Sequence, residues 1–143
     1  MPRTPEPLPE GWPRISSALF YDDAAAAIDW LEQAFGFTTR LRVEDGGGGI
    51  VHSELELGGG VVMVASAREG GRSPRALGGA NTQSLFVYVD DVDAHCARAR
   101  AHGAQIVSPP SNRDYDAWED RIYEALDCES HRWWFGQRMR TGS

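Results

Sequence analysis

The first sustained apolar run, Ile15 to Tyr21, is β-compatible, and Asp22-Asp23 then precede an alanine-rich stretch. In that stretch Ile28, Leu31 and Phe35 recur at helical spacing before Gly36, which predicts a strand followed by a capped helix. Phe37 to Val43 reads as a strand, Asp45 to Gly49 as a turn, Ile50 to Leu57 as an alternating strand, Gly58 to Gly60 as a turn and Val61 to Ala65 as a strand. The first half is therefore βαβββ. Beyond a glycine-containing connection, Ser84 to Val89 and a helix from Val92 to Ala101 restart the pattern. Ala104 to Val107 reads as a strand and Ser108 to Ala117 as a loop, with Arg121 to Leu126 and Arg132 to Gly136 closing a hairpin around Asp127-Cys128-Glu129-Ser130.

The two aspartate pairs, Asp22-Asp23 and Asp90-Asp91, stand 68 residues apart, nearly half of the 143-residue chain. The closing turn and the Gly58 turn have almost the same offset, so the whole supersecondary unit is duplicated. A duplicated half-domain predicts a cleft between the halves. The expected organisation is a Pro-rich, poorly ordered segment over 1–13, one domain over 14–138 and a tail over 139–143. Module one covers 14–66, a linker 67–83 and module two 84–138.

Composition narrows the function. A net charge of −7 with no clustered Lys/Arg footprint argues against a nucleic-acid partner. No apolar run is long enough for a membrane span and no hydrophobic leader opens the chain, so a cytoplasmic protein is expected. Cys96 and Cys128 have no metal-ligand spacing and form no disulfide framework; Cys96 shares a helix face with Val92 and Ala99, a core position, while Cys128 sits in a turn. His95 and His102, seven apart on the second helix, read as surface residues. The glycine runs join strand to strand and so are turns, not phosphate cradles. Arg68, Arg72 and Arg75 fall on the linker and read as solvated loop residues within reach of a ligand.

Paired βαβββ modules with Asp-Asp before each helix resemble the vicinal oxygen chelate superfamily, which includes glyoxalase I, extradiol dioxygenases and the fosfomycin- and bleomycin-resistance proteins. Trp118-Glu119-Asp120-Arg121-Ile122-Tyr123 and Asp127-Cys128-Glu129-Ser130-His131-Arg132-Trp133-Trp134-Phe135-Gly136 look like that family's W-G-D-R-x-Y and D-P-E-G-H-x-W-x-F. The likeness runs from about Ile15 to Arg138 and implies an α+β fold, two tandem βαβββ modules forming a curved mixed sheet around a cleft. By the same pattern His131 fixes the closing hairpin. The resemblance also implies a homodimer, with the cleft built within one chain or between two. Metal-dependent members take ligands from the first and fourth strands of each module. Those positions are Ser16, Met63, Ser84 and Trp134 here, and neutral serines, a thioether and an indole cannot replace His and carboxylate ligands. No metal and no cofactor are therefore expected.

Strand alternation then chooses the lining. With position 16 facing the cleft, Ala18 and Phe20 follow, and in the copy Ser84, Phe86 and Tyr88. On the third strand Val51, Leu55 and Leu57 are expected beneath the helices, leaving His52, Glu54 and Glu56 towards the cleft; Glu124 is the counterpart of Glu54. The expected ligand-binding set is Phe20, His52, Glu54, Phe86, Tyr88, Glu124 and Trp134. Aromatic faces beside carboxylates suit a small aromatic or cationic organic molecule, captured without turnover. The alternative is a metal-dependent glyoxalase-like lyase, isomerase or dioxygenase using His52 and nearby carboxylates, with catalytic residues not identified.

Overall fold

The computed structural model describes residues 3–142, so Met1, Pro2 and Ser143, the ends of the expected N-terminal segment and tail, lie outside the described residues. Module one consists of β1 (Ser17–Tyr21), α1 (Ala24–Phe35), β2 (Thr38–Glu44), β3 (Ile50–Leu57) and β4 (Gly60–Ser66). Module two consists of β5 (Leu85–Tyr88), α2 (Val92–Ala101), β6 (Gln105–Asp114), β7 (Trp118–Leu126) and β8 (Arg132–Thr141). Each module is a four-stranded sheet, ordered β1-β4-β3-β2 and β5-β8-β7-β6. In each the first and fourth strands pair in parallel and the other pairs are antiparallel. The duplicated α+β architecture is thus present.

The repeated aspartates work as local chemistry dictates. Asp23 and Asp91 are the N-caps, each accepting a 3.1 Å bond from the backbone N–H three residues on. Gly36 ends α1 in the left-handed region at φ 86°, which a side chain would resist. One apolar core lies on the helix side of both sheets, joining Tyr21, Leu31, Phe35, Leu55 and Val64 to Val92, Cys96, Tyr123, Trp133 and Phe135. Phe35 is its pivot, with ring centroids 5.3 Å from Trp133 and 4.7 Å from Phe135.

Polar bonds reinforce this junction. Tyr21 Oη and Trp133 Nε1 both donate to Asp127 Oδ2, at 2.5 and 2.9 Å, while Glu129 accepts from the backbone N–H groups of Asp22 and Asp23. Arg98 donates to the carbonyls of Glu32 and Gln33, satisfying acceptors at the C-terminal end of α1. His131 joins the closing turn to β1: its backbone N–H donates to Asp127 and its ring Nε2 donates to the Phe20 carbonyl at 2.9 Å.

Four expectations need correction. Ser108 to Ala117 is largely strand: β6 runs to Asp114 as an edge strand, and Pro109-Pro110 fall in a register break between Ser108↔Glu124 and Ser111↔Ile122. β8 continues through Thr141, into the expected tail, because Trp118 and Glu119 pair with Thr141 and Arg140. Val51 is exposed and Ile50 is buried instead, since a register shift between Val43 and Glu44 inserts an extra residue there. His95 is half-buried rather than a surface residue, while His102 is exposed.

Candidate functional site

The face of each sheet turned away from the helices remains open, and alternation decides what it displays. Leu19 and Tyr21 of β1 enter the core, which sends Phe20 to the open face; Leu85 and Val87 pack on the core, which sends Phe86 and Tyr88 outward. Phe86 and Tyr88 are 46% and 52% exposed and meet edge to face at 5.0 Å. Phe86 pairs across the ladder with Trp134, so three expected ligand-binding residues are neighbours. The Phe86 ring lies against Gly136, where a Cβ would come within 2.6 Å of it, and Gly71 makes the same allowance for Phe20. Glycine here is a condition of seating both rings.

The polar groups around this aromatic patch are already paired. Tyr88 Oη donates to Asp120 Oδ2 at 2.8 Å, and Arg138 donates both to Asp120 Oδ1 at 2.7 Å and to the Tyr88 oxygen. Glu124, opposite Trp134 on the ladder, is buried and ion-paired with Arg132. Arg113 places its guanidinium 5.4 Å from the Trp134 ring centroid.

Module one's open face is built differently. His52 and Glu54 do meet, with Nε2 3.0 Å from Oε2, and Arg40 holds Glu54 and Glu56 at 3.3 Å each. The His52 hydrogen bond, with Arg40 behind it, keeps the Glu54 carboxyl below the usual glutamate range. The Arg40 guanidinium also lies over Trp12, 3.5 Å from the ring centroid. Leu8, Trp12 and Pro13 roof a cavity of about 380 Å³ whose floor includes Met63 and Val61. Phe20 sits under the linker, with Arg68 at 5.0 Å, and Arg75 bridges Asp22 and Glu129 instead of reaching a cleft.

The edge strands β1 and β5 border a cavity of about 830 Å³, lined by Ser16, Ala18, Val61, Ser84, Phe86 and Tyr88 among others. Phe20, His52, Glu54, Glu124 and Trp134 do not line it, so the seven expected residues fall into three places: His52 with Glu54, the Phe86, Tyr88 and Trp134 cluster with Glu124, and Phe20 apart under Arg68. The positions where metal-dependent relatives carry ligands hold Ser16 and Ser84 in this cavity, Met63 beneath Trp12, and half-buried Trp134. This donor set does not fit a hard divalent ion. Among the described residues no three His, Cys, Asp or Glu side chains are gathered as a metal site. Cys128 is half-buried in the closing turn, and burial with the Asp127 and Glu129 charges pushes its thiol up to about 12, which argues against a nucleophile.

Sequence reasoning missed Trp12, Arg40, Arg113, Asp120, Arg132 and Arg138 as parts of the open face. Asp120 and Arg132 stood inside the quoted motifs, and parity with Glu124 and Trp134 would have placed them on it. The others depend on contacts across strands or on a segment that carries no periodicity.

Residues 14–135 match the profile of the glyoxalase/bleomycin resistance protein/dioxygenase superfamily. The chain belongs to this superfamily. It is 35% identical over 133 residues to an uncharacterised protein of Mycobacterium tuberculosis, spanning 90% of this chain and 76% of that one. The superfamily fold is equally clear against TioX from Micromonospora, at 36% identity and a TM-score of 0.69 over 87% of this chain and 95% of TioX. The fosfomycin resistance protein FosX from Listeria monocytogenes shares the fold alone, at 13% identity and a TM-score of 0.62 over 86% of this chain and 90% of FosX. Among the described residues no helix is long and apolar enough to cross a membrane.

Proposed function

We propose that this superfamily member captures a small planar organic molecule on its open face, without the metal its catalytic relatives use. The observation that carries the reading is the exposed Phe86–Tyr88 pair beside Trp134, on a face where large aromatic groups have no core to fill. Stacking on such rings is worth about 1 kcal/mol per contact beyond the area buried. A homodimer in the cytoplasm fits this role, because a second copy would cover the unpaired edges of β1 and β5 and close the cleft over its ligand.

The enzymatic alternative rests on the His52–Glu54 hydrogen bond, but Arg40 also occupies Glu54, and Glu124 belongs to the other sheet with its own arginine. Titration with neutral naphthol, followed by calorimetry, tests the binding reading. Trp134→Ala and Phe86→Ala should each weaken binding by about fivefold, the equivalent of one lost stacking contact. Unchanged affinity in both variants would place the site elsewhere. Stoichiometric metal in protein purified without chelator would instead favour the enzyme.

A further inference from the structure

The guanidinium–ring contacts of the described residues all fall on open-face rings or the rim beside them: Arg40 on Trp12, Arg68 on Phe20, Arg113 on Trp134, and Arg138 on Tyr88 and Trp118. These arginines divide into two kinds. Arg40 is neutralised by Glu54 and Glu56, and Arg138 by Asp120. Arg68 and Arg113, among the described residues, have no carboxylate partner, although the chain carries 21 acidic side chains against 14 basic ones. The carboxylates that would have drawn a cationic ligand, Glu54 and Glu124, are held by Arg40 and Arg132. On the open face of module two, where Asp120 and Glu124 each have an arginine, the charge left unanswered is that of Arg113.

We propose that the ligand is an aromatic acid, with its ring against Phe86 and Trp134 and its oxyanion, a carboxylate, sulfonate or phosphate, on Arg113. This rests on the planar-ligand reading above and adds the ligand's charge. A guanidinium lying over a ring keeps the N–H groups along its edge free, and that planar fork matches an oxyanion's two oxygens. Arg113 stands directly across the β6–β7 ladder from Asp120, which binds Tyr88, so its position on the open face follows from the strand register. Arg68, in the linker over Phe20, is a second guanidinium on a ring and suits a second acidic group of the ligand.

Naphthalenesulfonate and naphthylmethylammonium share a ring system and differ in charge. Calorimetric titration should show the sulfonate bound about tenfold more tightly, as expected of a charged hydrogen bond. Arg113→Gln should remove that preference by weakening the sulfonate while the ammonium probe, relieved of a like charge, binds no more weakly than before; Arg113→Lys should restore part of it, and added salt should weaken the sulfonate selectively. Equal binding of the two probes, or a preference that survives Arg113→Gln, overturns the aromatic-acid proposal while the Trp134→Ala and Phe86→Ala results still stand. Failure of both probes to bind, or affinities that Trp134→Ala and Phe86→Ala leave unchanged, overturns the planar-ligand reading and this inference with it.

Discussion

The helix-side faces of the two modules keep the same layout of caps and core positions, while their open faces carry different chemistry. Asp23 and Asp91 cap equivalent helices, and equivalent strands send Val64 and Phe135 into one core. Across the same ladder positions, however, Glu54 faces Met63 in module one and Glu124 faces Trp134 in module two. Module one answers its carboxylates with His52 and Arg40 and lies partly beneath Trp12, whereas module two leaves Phe86 and Tyr88 exposed. Duplication therefore preserves what folding requires on one side of each sheet and leaves the other side free to differ.

The sharpest way to break this contrast is to delete one phenylalanine from each side. Phe35→Ala removes a fully buried ring at the junction of the modules and should cost roughly 3–5 kcal/mol. Phe86→Ala, on the open face, should cost within about 1 kcal/mol while weakening ligand capture. Urea unfolding of both variants measures the difference. Similar losses would mean that the open-face ring is structural, and that the divergence of the two faces is only a matter of packing.

The same contrast explains what could be read from the chain. Asp23, Phe35 and Gly36 were legible because capping and helical periodicity are local, and Phe20, Phe86 and Tyr88 because strand parity needs no partner. Parity failed at Val51, where a bulge in β3 changes the count, and β6 was hidden because Pro109-Pro110 resemble a loop until an edge position tolerates them. His95 was misread for another reason. Its spacing to His102 suggested a shared surface, but its partners, Phe35 and Tyr123, come from other elements far away in sequence.

His95 also links the two modules in a way that pH can probe. Its Nε2 donates to the Phe35 carbonyl at 2.8 Å, so in the neutral ring Nδ1 accepts from Tyr123 Oη at 2.6 Å. Burial holds its pKa below the ordinary histidine value, against the opposing effect of the Phe35 carbonyl. The unfolded chain then takes up a proton before the folded one does. Stability is complete above the ordinary value and declines as pH falls through it towards the depressed one. His95→Gln should cost about 1–3 kcal/mol near neutrality, from partners left unsatisfied, and should flatten the decline as pH falls below the ordinary histidine value. An undiminished decline in the variant would assign the pH dependence to other groups.

The smallest effect belongs to the open face of module one, where Glu54 is half-buried between His52 and Arg40. With its carboxyl held below the usual range, Glu54 contributes fully above that range and loses its contribution as pH falls through the ordinary glutamate value to the lower folded one. Glu54→Gln should therefore cost within about 1 kcal/mol at neutral pH, because part of the pairing is exposed and screened, and the cost should vanish in acid. Urea midpoints of wild type and variant should converge there. If the variant instead lost as much as Phe35→Ala, the Glu54 network would be part of what holds the modules in shape, and module one's open face could not be counted as free to diverge.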